Sequence, residues 1–320
     1  RRYICSLGGE VCFHTLFDGA AMKGGAVYEA LAHSVTTGER YRYPCDALVL
    51  AIGHSSRDTF AALLGQGFAM EQREFAIGAR IEHLQEKIGL AQYSAWHKTL
   101  PPADYKLVSH AGARSAFTFC MCPGGYVMPV SSERGGVVTN GMSNYARDGR
   151  NANSALLVQI RREDFDRGNV LDGAEFQRRI ERAAFTMAGG DYSAPVQRAE
   201  DFFLNRESKS FGEVTPTYAA GTAMCDLNRL LPEQVAESMK AALKDMGKRL
   251  SGFDHPDALL TAPETRFSSP VRILRGETLE SASHGGVYPC GEGCGYAGGI
   301  MSSAADGLRV AEKIFEKYEN

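Results

Sequence analysis

The sequence predicts an α/β protein in which a partial Rossmann-like domain is interrupted by a large α+β insertion domain, and three observations carry that reading. Residues 47–52 form an apolar run without alternation that ends at Gly53, as expected of a strand covered on both faces of a largely parallel sheet. Near the other end of the chain, a second short apolar run leads into a glycine loop at 291–299 that opens a periodic helix. Between the two, the composition shifts to long polar connections, strand-like runs and two amphipathic helices.

The bulk numbers set only outer limits. A chain of 320 residues, 44% hydrophobic and 23% charged, is long enough for about two globular domains with real cores. Its net charge of −3 offers no basic footprint for nucleic acid, so a small-molecule partner is expected instead. No apolar run approaches the roughly 18 residues of a membrane span, and no membrane association is expected. The start at Arg1-Arg2-Tyr3-Ile4 has neither an initiator Met nor a signal-peptide pattern, and the chain reads as a fragment. Eight scattered cysteines suit a reducing compartment better than a disulfide scaffold, which predicts a cytoplasmic protein.

Taken in order, Gly9–Phe17, Ala26–Val35 and Arg40–Ile52 are β-rich runs separated by Gly24-Gly25 and Thr37-Gly38, the pattern of a meander. Gly53-His54-Ser55-Ser56-Arg57-Asp58 then closes a strand and starts a helix over about 58–64. That is the edge where α/β sheets bind ligands, and equally a plain capped turn. In the insertion, Asp172 and Glu175 have capping-box spacing ahead of Phe176, Ile180, Ala184 and Met187, with Gly189-Gly190 as a stop. Pro232 fits the first turn of a helix carrying Val235, Met239, Leu243, Met246 and Leu250 on one stripe. Residues 117–130 and 134–141 read as strands and turns. The expected division is therefore 1–66 with 280–320 as one discontinuous domain and 67–279 as the insertion.

Gly293, Gly295 and Gly298 satisfy G-x-G-x-x-G, yet only 301–320 follows them. A dinucleotide fingerprint needs a second parallel strand and an acidic residue about 20 positions on. The segment is better read as a closing strand, a glycine turn and a helix whose N-terminus meets an electron-rich part of a ligand. The alternative is a close-packed turn with no ligand.

Six segments together carry a resemblance: Leu48–Thr59, Phe75–His83, Phe119–Gly125, Thr139–Asp148, Glu264–Arg272 and the C-terminal glycine segment. Nearly end to end, the chain resembles a family of uncharacterised bacterial FAD-dependent dehydrogenases, described as NAD(FAD)-utilising dehydrogenase-like flavoproteins. The resemblance implies an FAD-binding domain with a large insertion. It also implies an upstream strand, G-x-G-x-x-G and helix for the FAD pyrophosphate, none of which precedes Arg1, so this stretch alone is expected to be inactive and to bind FAD poorly. Gly291, Glu292 and Gly293 resemble the stretch where an acidic side chain meets the ribityl or pyrophosphate region. Gly298, Gly299 and Ile300 resemble the amides that face the flavin pyrimidine edge, where a positive helix end favours negative charge. Gly53, His54 and Gly295 complete the expected cofactor set.

The implied activity is flavin-mediated electron or hydride transfer on an unidentified small molecule, with NAD(P)H as a candidate donor. The alternative is a non-catalytic flavin- or nucleotide-binding scaffold or a subunit of an RNA-modifying flavoprotein, against which the missing basic patch counts.

Candidate catalytic side chains are Cys122, His54 and Arg266. Cys120 and Cys122 stand two apart in the family-like stretch, so in a strand both could share a face; the plainer reading is a small buried hydrophobe. Neither Cys120-x-Cys122 nor Cys290-x3-Cys294 has zinc-site spacing, so no metal is expected, and a chance disulfide between Cys290 and Cys294 stays open. Arg80, His83, Asn140, Asn144 and Arg266 are the polar groups expected around a substrate cavity between domains, since an arginine can clamp a carboxylate or phosphate. Each could equally be structural or solvated. Hydrolase triads and a phosphate-cradling G-x-x-x-x-G-K are absent.

Overall fold

The computed structural model describes residues 1–319. It divides into two compact units. The first joins Arg1–Arg73, Gly168–Leu171 and the residues from Ser268 onward; the second joins Glu74–Arg167 and Asp172–Phe267. The chain thus changes unit at Arg73/Glu74 and Phe267/Ser268, some residues from the 66/67 and 279/280 breaks read from composition.

The chain begins with α1 (Arg2–Ser6), β1 (Thr15–Lys23), β2 (Ala26–Ser34), β3 (Arg40–Pro44), β4 (Leu48–Leu50), α2 (Arg57–Gly65) and β5 (Met70–Gln72). It continues through β6 (Phe75–Leu84), α3 (Gln85–Tyr93), β7 (Val108–Ser109), β8 (Ala116–Cys122), β9 (Gly125–Pro129), β10 (Thr139–Ser143) and β11 (Asn151–Ile160). Then come α4 (Asp172–Met187), β12 (Ala194–Arg198), α5 (Ala199–Phe203), β13 (Thr222–Met224), α6 (Glu233–Gly247) and β14 (Leu259–Glu264). The last elements are β15 (Val271–Ile273), β16 (Val287–Pro289) and α7 (Ile300–Tyr318).

In the first unit β1, β2 and β3 form the antiparallel meander, β4 pairs in parallel with β16, and β5 pairs antiparallel with β15. Two expectations need correction. The first strand runs over Thr15–Lys23, not 9–17: His14 sits at φ +54, which breaks the extended path, and pairing continues through small residues instead. There the Ala20 amide donates to the Gln66 side chain at 3.1 Å, close against Gly19. The run 40–52 splits into β3 and β4, which lie in different sheets, and Val49 is 43% exposed, so β4 is not covered on both faces. Leu50, Leu63, Phe68, Ile273, Val287 and Cys294 make the core of this unit. Of the residues on α7, Asp306 and Val310 are buried.

The second unit is a seven-stranded mixed sheet in the order β13-β12-β14-β6-β11-β8-β7, antiparallel except for β12 with β13. Its centre is the ten-residue pairing of β6 with β11, from Phe75 opposite Ile160 to Leu84 opposite Asn151. Both strands are buried almost throughout, and at Gly78 a Cβ would run into the Leu156 carbonyl, so only glycine fits that crossing. The two predicted helices form with most of each expected stripe buried, although Met187 stays half-buried and Leu250 falls after the end of α6. α4 buries Phe176, Ile180 and Ala184 and is followed by Gly189 and Gly190 with φ of +104 and +80. Pro232 precedes α6, which buries Val235, Met239, Leu243 and Met246. Each such fully buried side chain stabilises the unit by about 1.5–3 kcal/mol relative to exposure. Among the described residues no helix is long and apolar enough to cross a membrane.

Candidate functional site

The glycine loop of the first unit is fixed by contacts that leave no room for side chains. β4 ends at Leu50 and the chain then turns at Gly53, whose φ of +68 suits glycine, and a Cβ on Gly293 would collide with the Gly53 backbone. This close approach sets His54 beside Glu292, with Nδ1 3.3 Å from Oε1. Gly295, at φ +86, has the same constraint: a Cβ there would lie 2.9 Å from the Val271 carbonyl oxygen. Ser269 Oγ donates to the Gly293 carbonyl at 2.9 Å, and the Gly291 amide donates to Asp306 Oδ2 at 2.9 Å. Asp306 is buried and receives two further bonds from Arg275, at 3.0 and 2.7 Å, which hold its carboxyl below the usual carboxylate range despite the burial. Arg275 in turn lies 3.7 Å over the ring centre of Tyr296.

Past this rigid base the chain opens out. Gly298 is exposed, Gly299 is half-buried, and neither would meet an atom within 4 Å if it carried a Cβ. Ile300, the first residue of α7, is 89% exposed. The helix therefore presents its positive end at an uncrowded surface, with the Gly298 amide turned to Ser302 Oγ at 3.2 Å.

A second cluster centres on Arg80 in β6. Its guanidinium is fully buried and saturated with acceptors. Nη1 lies 3.3 Å from both oxygens of Glu264, while Nη2 donates to Asn153 Oδ1 at 2.6 Å and to the Cys120 carbonyl at 2.8 Å. Nη2 is also 3.5 Å from Cys122 Sγ. Burial pushes the Glu264 carboxyl up to about 7 in spite of Arg80. Gly141 in β10 faces this group, and a Cβ there would collide with Arg80 and Asn153.

The two cysteines of this cluster do not follow simple strand alternation. Phe119 pairs with Ala155 but Cys122 with Asn153, so β8 carries one extra residue, and Cys120 adopts φ +45. Cys120 is exposed and Cys122 buried. The Cys122 thiol and, after it, Arg80 bring the Cys120 thiol down to about 6 against the cost of desolvation, and Cys120 raises Cys122. Cys120 was the member of the pair that residue spacing alone did not single out; the signal is the bulge, which only pairing reveals.

Among the other predicted residues, Cys290 and Cys294 border and enter the glycine loop, while His83 and Arg266 are engaged by partners of their own. His83 is buried, with Nε2 2.8 Å from the Phe253 carbonyl, and burial brings its pKa down to about 4. Arg266 is held by Glu181 at 2.8 and 3.1 Å and by Ser132, a bidentate buried pair of structural type. Asn140 and Asn144 are exposed; Asn140 Oδ1 accepts from the Gly141 amide at 2.7 Å. Cys290 and Cys294 are free thiols, and Cys294 donates to the Leu50 carbonyl at 3.0 Å. Glu213, His255 and Asp257 converge as a metal-ligand set would, but Lys87 pairs with Glu213 and Arg198 with Asp257 at 2.6 Å, so cations of the chain already occupy the carboxylates.

Comparison with known proteins gives three findings. A family model described as "FAD-dependent protein, C-terminal domain-like" matches residues 74–267, the span between the two unit boundaries. An uncharacterised protein of Clostridium beijerinckii is 46% identical over 323 residues, covering 100% of this chain and 60% of the relative, so the chain spans about three-fifths of that relative's length. Among solved structures, native and K252c-bound RebC-10x is similar at 14% identity, over 49% of this chain and 24% of that one, with a TM-score of 0.22.

Proposed function

The chain belongs to the family described as FAD-dependent protein, C-terminal domain-like, and from that premise we propose that it is part of an FAD-dependent oxidoreductase whose first unit is a Rossmann-like FAD-binding domain. One observation carries the placement of the cofactor: Gly293 packs on Gly53 with no space for a Cβ, which brings His54 and Glu292 together beside an open helix end. The donor set fits a flavin. A carboxylate and an imidazole suit hydroxyl-rich ribityl, and the amides of Gly299 and Ile300 suit an electron-rich ring edge, while that of Gly298 is turned to Ser302 Oγ.

In this reading Glu292 and His54 orient the cofactor, Asp306 and Arg275 keep the Gly291 turn rigid, and the start of α7 supplies a preorganised positive field. When bound, FAD supplies the acceptance of a hydride or electrons from a small molecule, with a nicotinamide as the candidate donor.

The experiment is anaerobic mixing of the complete flavin-loaded protein with NADH and NADPH in turn. Bleaching of the flavin absorbance within turnover time is the expected result. A bound flavin that neither nucleotide nor any reduced small molecule bleaches points to a scaffold and contradicts the oxidoreductase.

A further inference from the structure

We propose that Cys120 and Cys122 form a redox-active dithiol that exchanges with small disulfides, Cys120 attacking and Cys122 resolving. The proposal lies in the second unit and stands apart from the flavin reading.

Three independent observations point to it. The first is exposure: Cys120 is open to solvent, whereas Cys122 is buried at 6%. An attacking thiol must be reachable, and a resolving one must not be captured first.

The second is backbone geometry. In a regular strand, residues two apart have Cα atoms about 6.6 Å apart, at the far end of the range a disulfide spans. Here the extra residue in β8 and the left-handed Cys120, at φ +45, break that extension. Cys122 Sγ folds back to within 3.2 Å of the Cys120 carbonyl oxygen. The local strain of a non-glycine residue in this region is retained only where the surroundings hold it, here by the bond from Arg80 Nη2 to the same carbonyl at 2.8 Å.

The third is charge. Arg80 is fully buried, oriented by Asn153 and Glu264, and reaches Cys122 Sγ at 3.5 Å. A fixed cation beside two thiols favours one shared thiolate. The asymmetry agrees: the neighbouring Cys122 thiol and Arg80 lower Cys120 to about 6, while Cys122 is raised.

The reaction balances. The Cys120 thiolate attacks one sulfur of R–S–S–R; a Cys120–SR bond forms, the S–S bond of the small disulfide breaks to release the other half as RS⁻, and that thiolate takes a proton. Cys122 then loses its proton and attacks the Cys120 sulfur, giving the Cys120–Cys122 disulfide and a second RS⁻, which is protonated in turn. Two electrons pass from the dithiol to the small disulfide. Excess RSH reverses both steps.

The test treats the complete protein with glutathione disulfide, quenches with acid and iodoacetamide, and maps the cysteine peptides. Wild type is expected to carry an internal Cys120–Cys122 bond, Cys122→Ser a persistent glutathione adduct on Cys120, and Cys120→Ser neither. A stable adduct on Cys120 in the wild type, or no modification of either residue, overturns the proposal. A measurement without variants guards against misfolding: at pH 6, Cys120 is expected to alkylate on the order of 10-fold faster than the exposed Cys5 and Cys12, from thiolate fraction offset by lower intrinsic nucleophilicity. Equal or slower labelling of Cys120 overturns it as well.

Discussion

Arg80 and Glu264 face each other as a buried ion pair inside the seven-stranded sheet, with Nη1 3.3 Å from both carboxylate oxygens. They come from β6 and β14, adjacent strands whose pairing is irregular between Thr261 and Glu264. Removing one partner leaves the other charge in a dry site. Glu264→Ala is therefore expected to destabilise the fold by about 3–5 kcal/mol, whereas Arg80→Met combined with Glu264→Leu recovers most of that loss. Urea unfolding of the three proteins checks this; a Glu264→Ala loss below about 1 kcal/mol, the level of an exposed pair, contradicts it.

His83 links stability to acid. Burial holds its pKa near 4, below the ordinary value of 6.5, so the unfolded chain binds more protons between those two values. The stabilisation is fully present above about pH 6.5 and is lost as pH falls toward 4, on the order of 3 kcal/mol in all. His83→Gln, which keeps a donor for the Phe253 carbonyl, is expected to flatten that part of the stability profile. An unchanged slope in the variant excludes His83 as the source.

Asp306 is the pin of the glycine loop, since it binds both Arg275 and the Gly291 amide. Asp306→Ala strands the Arg275 cation among buried atoms and frees Gly291. A loss of about 3–5 kcal/mol is expected, with faster amide exchange at Gly291 and Tyr296. Exchange unaltered at these two amides contradicts the role.

These contacts mark how far the amino-acid sequence could be read. The stripes of α4 and α6 were legible because each is set by neighbours within one element. The tight contact of Gly293 with Gly53 joins residues 240 apart, and Arg80 meets Glu264 across 184, so no local spacing announces either. Residues 9–17 alternate like a strand, but the left-handed His14 and the fit of Gly19 beside Gln66 shift the real strand to Thr15–Lys23. Arg266 reads as a substrate clamp until its partner, Glu181, is seen to occupy both prongs of its fork.

Alkylation of Cys120 provides the pH signature of the second unit. Its rate is expected to rise with a midpoint near pH 6, because the Cys122 thiol and Arg80 hold the thiolate while Glu264 titrates close by. Cys122→Ala removes the first of these influences and is expected to move the midpoint upward, read by site-resolved mass spectrometry. A wild-type midpoint at 8 or above, that of an ordinary thiol, contradicts the account.

The most direct measurement is FAD titration of the complete protein against its Gly293→Ala variant, followed by quenching of flavin fluorescence and by the absorbance of the retained flavin. The wild type is expected to hold one FAD per chain and the variant to lose it, since a Cβ at 293 forces Gly53 and His54 away from Glu292. A folded wild-type protein that takes up no FAD, or a variant that binds it as tightly as the wild type, contradicts the placement of the flavin at this loop.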